Sequence, residues 1–193
     1  MQTDRIIPVE NTDPDQMDTL EENILSDQMD ISDDDQMDWQ VDEPLAPGMT
    51  NLQIESCLKG YPATVCCADE LPLHVGVKPH TFIVNTDTSD RGWGHWVAFH
   101  FPLVGPAEFF DSLGSVPETY HLCFANFLIV NCGPQYYYCS FQIQPDETDT
   151  CGRYCLYYLK WRHRGRELPD IVKDFSHVDL NGNEDKILRS YMN

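Results

Sequence analysis

The chain has 193 residues and a formal net charge of −20. That length suits one domain of ordinary size, and the charge excludes the basic surface that binding to a phosphate backbone demands. No apolar run is long enough for a membrane-spanning helix, and Met1-Gln2-Thr3-Asp4-Arg5 leads into no apolar stretch, so no secretory signal is expected.

The charge is unevenly spread. Residues 1–50 hold 15 Asp and Glu against one base, Arg5, a net −14, which leaves −6 for residues 51–193. Residues 1–48 are expected to be a disordered acidic tail, because so few aromatic side chains cannot offset the entropy of ordering. A tetrapeptide recurs in it, as Asp15-Gln16-Met17-Asp18, Asp27-Gln28-Met29-Asp30 and Asp35-Gln36-Met37-Asp38. The repeats are irregularly spaced, which excludes a solenoid. They read as a solvated tail, or as an interaction arm with one Met anchor per repeat. Pro44-Leu45-Ala46-Pro47-Gly48 closes the tail as a linker. Residues 49–193 then form the folded domain.

A short helix is expected from Asn51 to Leu58, with Gly60 just past its end. Strands follow at Thr81–Asn85, His95–Phe101 and Glu108–Asp111, with a turn around Gly105. Ser115 with Glu118 resembles a capping box ahead of an apolar helix running to Val130. Tyr136–Ile143 has the composition of a long strand. Thr150 is placed to cap a helix from Cys151 to Trp161. Two short helices, Pro169–Phe175 and Glu184–Tyr191, end the chain. Strands adjacent in sequence with helices packed on them give an α+β fold, a central sheet flanked by helices.

Four residues in this framework have the chemistry of a thiol peptidase. Cys151 opens a helix, where N-terminal amides and a nearby imidazolium lower a thiol pKa. His95 is the candidate base, and Asp111 would accept its second ring N–H and fix the tautomer. Gln144, seven positions before the cysteine, is the candidate oxyanion donor, together with the backbone N–H of Cys151. Gln142, two residues earlier on the same strand face, is a rival for that role. Trp96 is expected to wall the substrate site and shield it from water. Gly152 is expected to leave room for substrate backbone beside the sulfur. Eight cysteines without a secretory signal imply free thiols in a reducing compartment, cytoplasmic or nuclear. Cys66-Cys67 with His74 and His80 lacks zinc-ligand spacing, so neither metal nor cofactor is expected. Lys160-Trp161-Arg162-His163-Arg164-Gly165-Arg166, the one basic stretch, reads as a solvated helix end favoured by the dipole.

Phe82-Ile83-Val84-Asn85-Thr86, Gly94-His95-Trp96-Val97-Ala98-Phe99, the Gln144-to-Cys151-Gly152 spacing and Tyr154-Cys155-Leu156-Tyr157-Tyr158-Leu159 resemble the adenovirus protease (adenain) family. The chain is most similar to the related proteases of Polinton/Maverick virus-like transposons, over roughly residues 51–165. Phe110-Asp111-Ser112-Leu113-Gly114 resembles the ubiquitin-like-protein (SUMO-type) proteases of the same clan, which carry Asp where adenain carries Glu. The resemblance implies a papain-like cysteine protease core in permuted order. It implies Cys151 as nucleophile, His95 as base, Asp111 as orienter and Gln144 in the oxyanion hole. It implies a protein substrate and an activating peptide, whereas DNA activation conflicts with the charge. The expected function is a monomeric endopeptidase that cleaves protein precursors. The alternatives are a protease acting on ubiquitin-like modifiers and a catalytically decayed binding module.

Overall fold

The computed structural model describes residues 7–8, 48–91 and 94–190. Six strands form one sheet: β1 (Ile7–Pro8), β2 (Ala63–Cys67), β3 (His80–Asn85), β4 (Trp96–Phe101), β5 (Ala107–Phe110) and β6 (Tyr136–Tyr138). Their order across the sheet is β1-β6-β5-β4-β3-β2. The centre, β3-β4-β5, is an antiparallel meander, and β2 and β6 join its sides in parallel. The helices are α1 (Asn51–Cys57), α2 (Leu122–Cys132), α3 (Cys151–His163), α4 (Leu168–Val172) and α5 (Leu180–Arg189).

Alternation along the central strands builds two cores. Ile83, Ala98 and Phe110 face α1, α3, α4 and α5, while Phe82, Val84, Val97, Phe99 and Phe109 face α2. Both faces are covered, so these strands read as continuous apolar runs rather than alternating ones. On the first face Phe110 stacks flat on Tyr158, with ring centroids 4.7 Å apart. On the second, Phe99 and Phe101 meet Phe127 edge to face, a favoured arrangement of ring quadrupoles. Helix α3 is buried from Cys151 to Lys160, a central helix with no solvent face over most of its length. The fold is a mixed α+β structure with helices on both faces of its sheet.

Several elements differ from expectation. Strand β2 lies where none was expected, pairing along its whole length with β3. Residues 7–8, within the stretch expected to be disordered, pair in parallel with Tyr137 and Tyr138 of β6. The Asp-Gln-Met-Asp repeats lie outside the described residues. Ser115 does not cap a long helix. Pro117–Thr119 forms a separate 3₁₀ turn, and α2 begins later, where the His121 side chain accepts from the Cys123 N–H. The aromatic run from Tyr136 leaves the sheet after Tyr138. The N–H groups of Ile143 and Gln144 then both donate to the Ser112 carbonyl, at 2.8 and 3.0 Å, so the chain bends around the end of β5. Gly114 makes this bend possible. Its φ is +73°, and a Cβ there would lie 2.6 Å from the backbone carbon of Phe141.

Candidate active site

Adjacent antiparallel strands bring the beginning of one beside the end of the next. The register that pairs Ala98 with Phe110 therefore sets His95, just before β4, beside Asp111, just after β5. His95 Nε2 lies 2.6 Å from Asp111 Oδ1. Asp111 is fully buried, and both of its oxygens are satisfied. Oδ1 also accepts from the Leu113 N–H at 2.9 Å, and Oδ2 accepts from the Ser115 N–H at 3.0 Å and the Tyr120 hydroxyl at 2.7 Å. Four donors converging on one buried carboxylate make it an acceptor only. Tyr120, absent from the sequence-based set, also stacks on the His95 ring, with centroids 5.8 Å apart and an interplanar angle of 26°.

Cys151 is the first residue of α3, where backbone N–H groups lack intrahelical partners and the dipole favours negative charge. Its sulfur is close enough to the His95 ring to act on the charge of the imidazole. Burial pulls the His95 pKa down, but Asp111 and Cys151 outweigh it and push the value up to about 9. The imidazole is thus held protonated at neutral pH between a carboxylate and a sulfur. A further donor to the sulfur is the Trp96 backbone N–H, 3.4 Å away. The Trp96 carbonyl accepts from the Cys155 thiol at 3.4 Å, so one peptide residue of β4 binds two successive turns of α3. Burial raises the pKa of the other thiols, Cys57, Cys66, Cys67, Cys123, Cys132, Cys139 and Cys155.

Thr150 occupies the N-cap position but makes no side-chain cap bond. Its hydroxyl donates instead to Glu184 Oε2 of α5, at 2.7 Å. Gln144 is buried at 2 % exposure. Its Oε1 accepts from the Ser112 hydroxyl at 2.6 Å, and its Nε2 donates to the Thr148 carbonyl at 2.8 Å. One amide hydrogen remains without a partner among the described residues. Gln142 differs: its Nε2 donates both to the Gln144 carbonyl, at 3.0 Å, and to Asp146, at 2.6 Å. With both hydrogens engaged, Gln142 has none to offer an oxyanion.

The Trp96 side chain is buried at 4 % exposure, and its indole N–H donates to the Met49 carbonyl at 3.0 Å. Gly152 packs closely against the segment around α1. A Cβ there would lie 3.2 Å from Ile54 Cδ1 and Met49 Cβ and 3.4 Å from the Trp96 ring. It lets the segment around α1 close over the first turn of α3. None of these three neighbours is near it in sequence.

The basic stretch is largely matched by local acids. Arg162 Nε bonds Glu108 at 2.9 Å, Arg166 bonds Asp174 at 2.7 Å, and Lys160 is buried. No group of three or more His, Cys, Asp or Glu among the described residues has the geometry to hold a metal ion. No helix among them is long and apolar enough to cross a membrane.

No protein-family model matches the sequence, and no curated protein does. Among solved structures, the chain is similar to the crystal structure of the selenomethionine form of ASFV pS273R protease. The identity is 20 % and the TM-score 0.37, over 58 % of this chain and 44 % of that one. The match thus spans less than half the length of that protease.

Proposed function

We propose that the chain is a cysteine-type endopeptidase of the adenain-like kind, cleaving protein precursors. The observation that carries this reading is the His95–Asp111 pair, 2.6 Å apart, beside Cys151 at the first residue of a buried helix. A thiolate at that point is stabilised by the helix amides, the His95 imidazolium and the Trp96 N–H. It attacks the scissile carbonyl carbon, forming a C–S bond. The oxyanion takes the Cys151 backbone N–H and the spare Gln144 amide hydrogen. His95 passes its proton to the departing amine as the C–N bond breaks. Neutral His95 then removes a proton from water, and the resulting hydroxide releases the acid and restores the thiolate. Asp111 stays ionised throughout and keeps the imidazole oriented.

The order His95, Asp111, Gln144, Cys151 supports the adenain-like assignment, and with it a protein substrate and a monomeric enzyme. Eight free cysteines support a reducing compartment. The test is hydrolysis of a peptide library alongside labelling by ubiquitin-like-modifier vinyl sulfones. Peptide cleavage abolished by Cys151→Ala supports the endopeptidase. Labelling by the modifier probes without peptide cleavage would move the substrate to ubiquitin-like tails. Failure of both would overturn the reading.

A further inference from the structure

The loop from Ile143 to Thr150 has two jobs in the proposed reaction. At one end it presents Gln144, and at the other it delivers Cys151. Helix α5 touches both ends through consecutive residues. Asn183, 4 % exposed, donates from Nδ2 to the Ile143 carbonyl at 2.8 Å. The same amide nitrogen bonds the Ser176 carbonyl, and its Oδ1 accepts from the Ser176 N–H at 2.8 Å. The amide orientation is therefore fixed before it reaches the loop. Glu184 Oε2 accepts from the hydroxyl of Thr150, which is fully buried. From α3, the Tyr154 hydroxyl donates to the Ile143 carbonyl at 3.2 Å.

These contacts leave little freedom at Gln144. The Ile143 and Gln144 N–H groups are held by Ser112, the Ile143 carbonyl by Asn183 and Tyr154, and the side chain by Ser112 and Thr148. The position of Thr150 is just as telling. It stands where a helix cap stands, yet its hydroxyl is turned away from the α3 amides and toward α5. A capping bond would satisfy an amide beside the cysteine. The Arg153 N–H donates to the Thr150 carbonyl at 2.8 Å, so giving up the side-chain cap leaves the N–H groups of Cys151 and Gly152 available to a developing anion.

We propose that α5 is a positioning clamp for the catalytic loop, with Asn183 fixing the Gln144 end and Glu184, through Thr150, fixing the Cys151 end. The proposal rests on the thiol-peptidase reading for what the loop does, but not for how it is held. The two residues should therefore have separable effects. Loosening the Gln144 end weakens oxyanion binding, which exists only in the transition state. Loosening the Cys151 end displaces the sulfur from His95 and alters the thiol itself.

The experiment compares wild type, Asn183→Ala, Glu184→Ala and Glu184→Gln in the full chain. It measures kcat and KM on a cleaved peptide, the rate of Cys151 alkylation by iodoacetamide, and the melting temperature. Glu184→Ala is expected to slow both kcat and alkylation by about tenfold, because a displacement of about 1 Å at a reacting group costs up to 10²-fold. Glu184→Gln keeps an acceptor oxygen for Thr150 and should restore both to within about twofold of wild type. Asn183→Ala should lower kcat by about tenfold while leaving KM and alkylation within about twofold. A merely structural role would lower the melting temperature while each folded molecule kept its kcat and alkylation rate, and that result overturns the proposal. So does an alkylation rate that is the same in Glu184→Ala and Glu184→Gln. If Asn183→Ala does not fold, the Glu184 pair decides. If wild type cleaves no peptide, the peptidase reading fails, and the alkylation rates of the Glu184 pair still decide the clamp.

Discussion

Asp111→Asn tests the electrostatics of the site through a stability difference that changes with pH. The wild-type carboxylate faces four donors, two of them the backbone N–H groups of Leu113 and Ser115. An asparagine there must turn its amide N–H₂ toward one of those two, and neither can turn away. One buried donor is left unsatisfied, at a cost of about 1–3 kcal/mol that does not vary with pH. The second loss does vary. The His95 pKa, raised from 6.5 to about 9, falls back once its charged partner is gone. A raised histidine pKa adds stability that is fully present below the unfolded value and is lost as pH rises through the folded value. At 1.36 kcal/mol per pKa unit, the raised pKa, to which Asp111 and Cys151 both contribute, is worth roughly 3 kcal/mol below about pH 6, about 2.5 kcal/mol at pH 7, and almost nothing by pH 10. Urea unfolding of both proteins at pH 6, 8 and 10 measures the gap between them. The expected gap narrows by at most about 3 kcal/mol across that range, Cys151 keeping its own share in both proteins, and only the unsatisfied donor is left at the alkaline end. A gap constant to within about 0.5 kcal/mol would show that Asp111 does not hold a protonated imidazole.

Tyr120→Phe removes one hydrogen bond to the buried Asp111 carboxylate but keeps the ring against His95. It should cost about 1.5–3 kcal/mol in urea unfolding, and lower kcat less than Asp111→Asn does. Gln144→Ala should lower kcat by about 10²–10³, with little change in KM. Gln142→Ala should leave kcat nearly unchanged, and the reverse pattern would move the oxyanion donor to position 142. Burial, with Arg162, His163 and His80 nearby, pushes the His100 pKa down to about 3. Between pH 6.5 and 3 the unfolded chain takes up a proton that the folded chain refuses, so stability falls as the solution becomes more acid. The loss at pH 5 is about 2 kcal/mol from this residue. His100→Asn should flatten that part of the stability–pH curve, and an unchanged slope would rule out His100 as its source.

The central meander and α3 were legible because they are fully covered and therefore carry continuous apolar runs. The proposed catalytic residues stand out because they lie at the ends of those runs: His95 before β4, Asp111 after β5, Cys151 at the start of α3. What the sequence hid is held by contacts without a fixed spacing. Ser112 meets Gln144 across 32 positions, Thr150 meets Glu184 across 34, and Asn183 meets Ile143 across 40. The length of β6 was overestimated for a related reason. The aromatic run from Tyr136 has strong strand propensity, but the Ser112 carbonyl captures two N–H groups further on and turns the chain. Gly152 adjoins the cysteine in sequence, and Met49, Ile54 and Trp96 are its neighbours in space.

The order His95, Asp111, Gln144, Cys151 follows from the way the chain is wound. A meander first yields the start of one strand and the end of the next, which supply the imidazole and the carboxylate. The chain then crosses α2, adds β6, and bends around β5 to place Gln144 on Ser112 before α3 begins. Cys151 is therefore the last of the four to be placed, and its position depends on α3 docking against β4. That docking is anchored on the Trp96 backbone, which donates to one sulfur and accepts from the other. Substitution of the Trp96 side chain leaves both backbone groups in place. Its effect on the thiol must travel through packing, by way of the contact with Gly152 and the indole bond to Met49. The segment entering α1 thereby becomes part of the support for the proposed nucleophile, from about a hundred residues away in the chain.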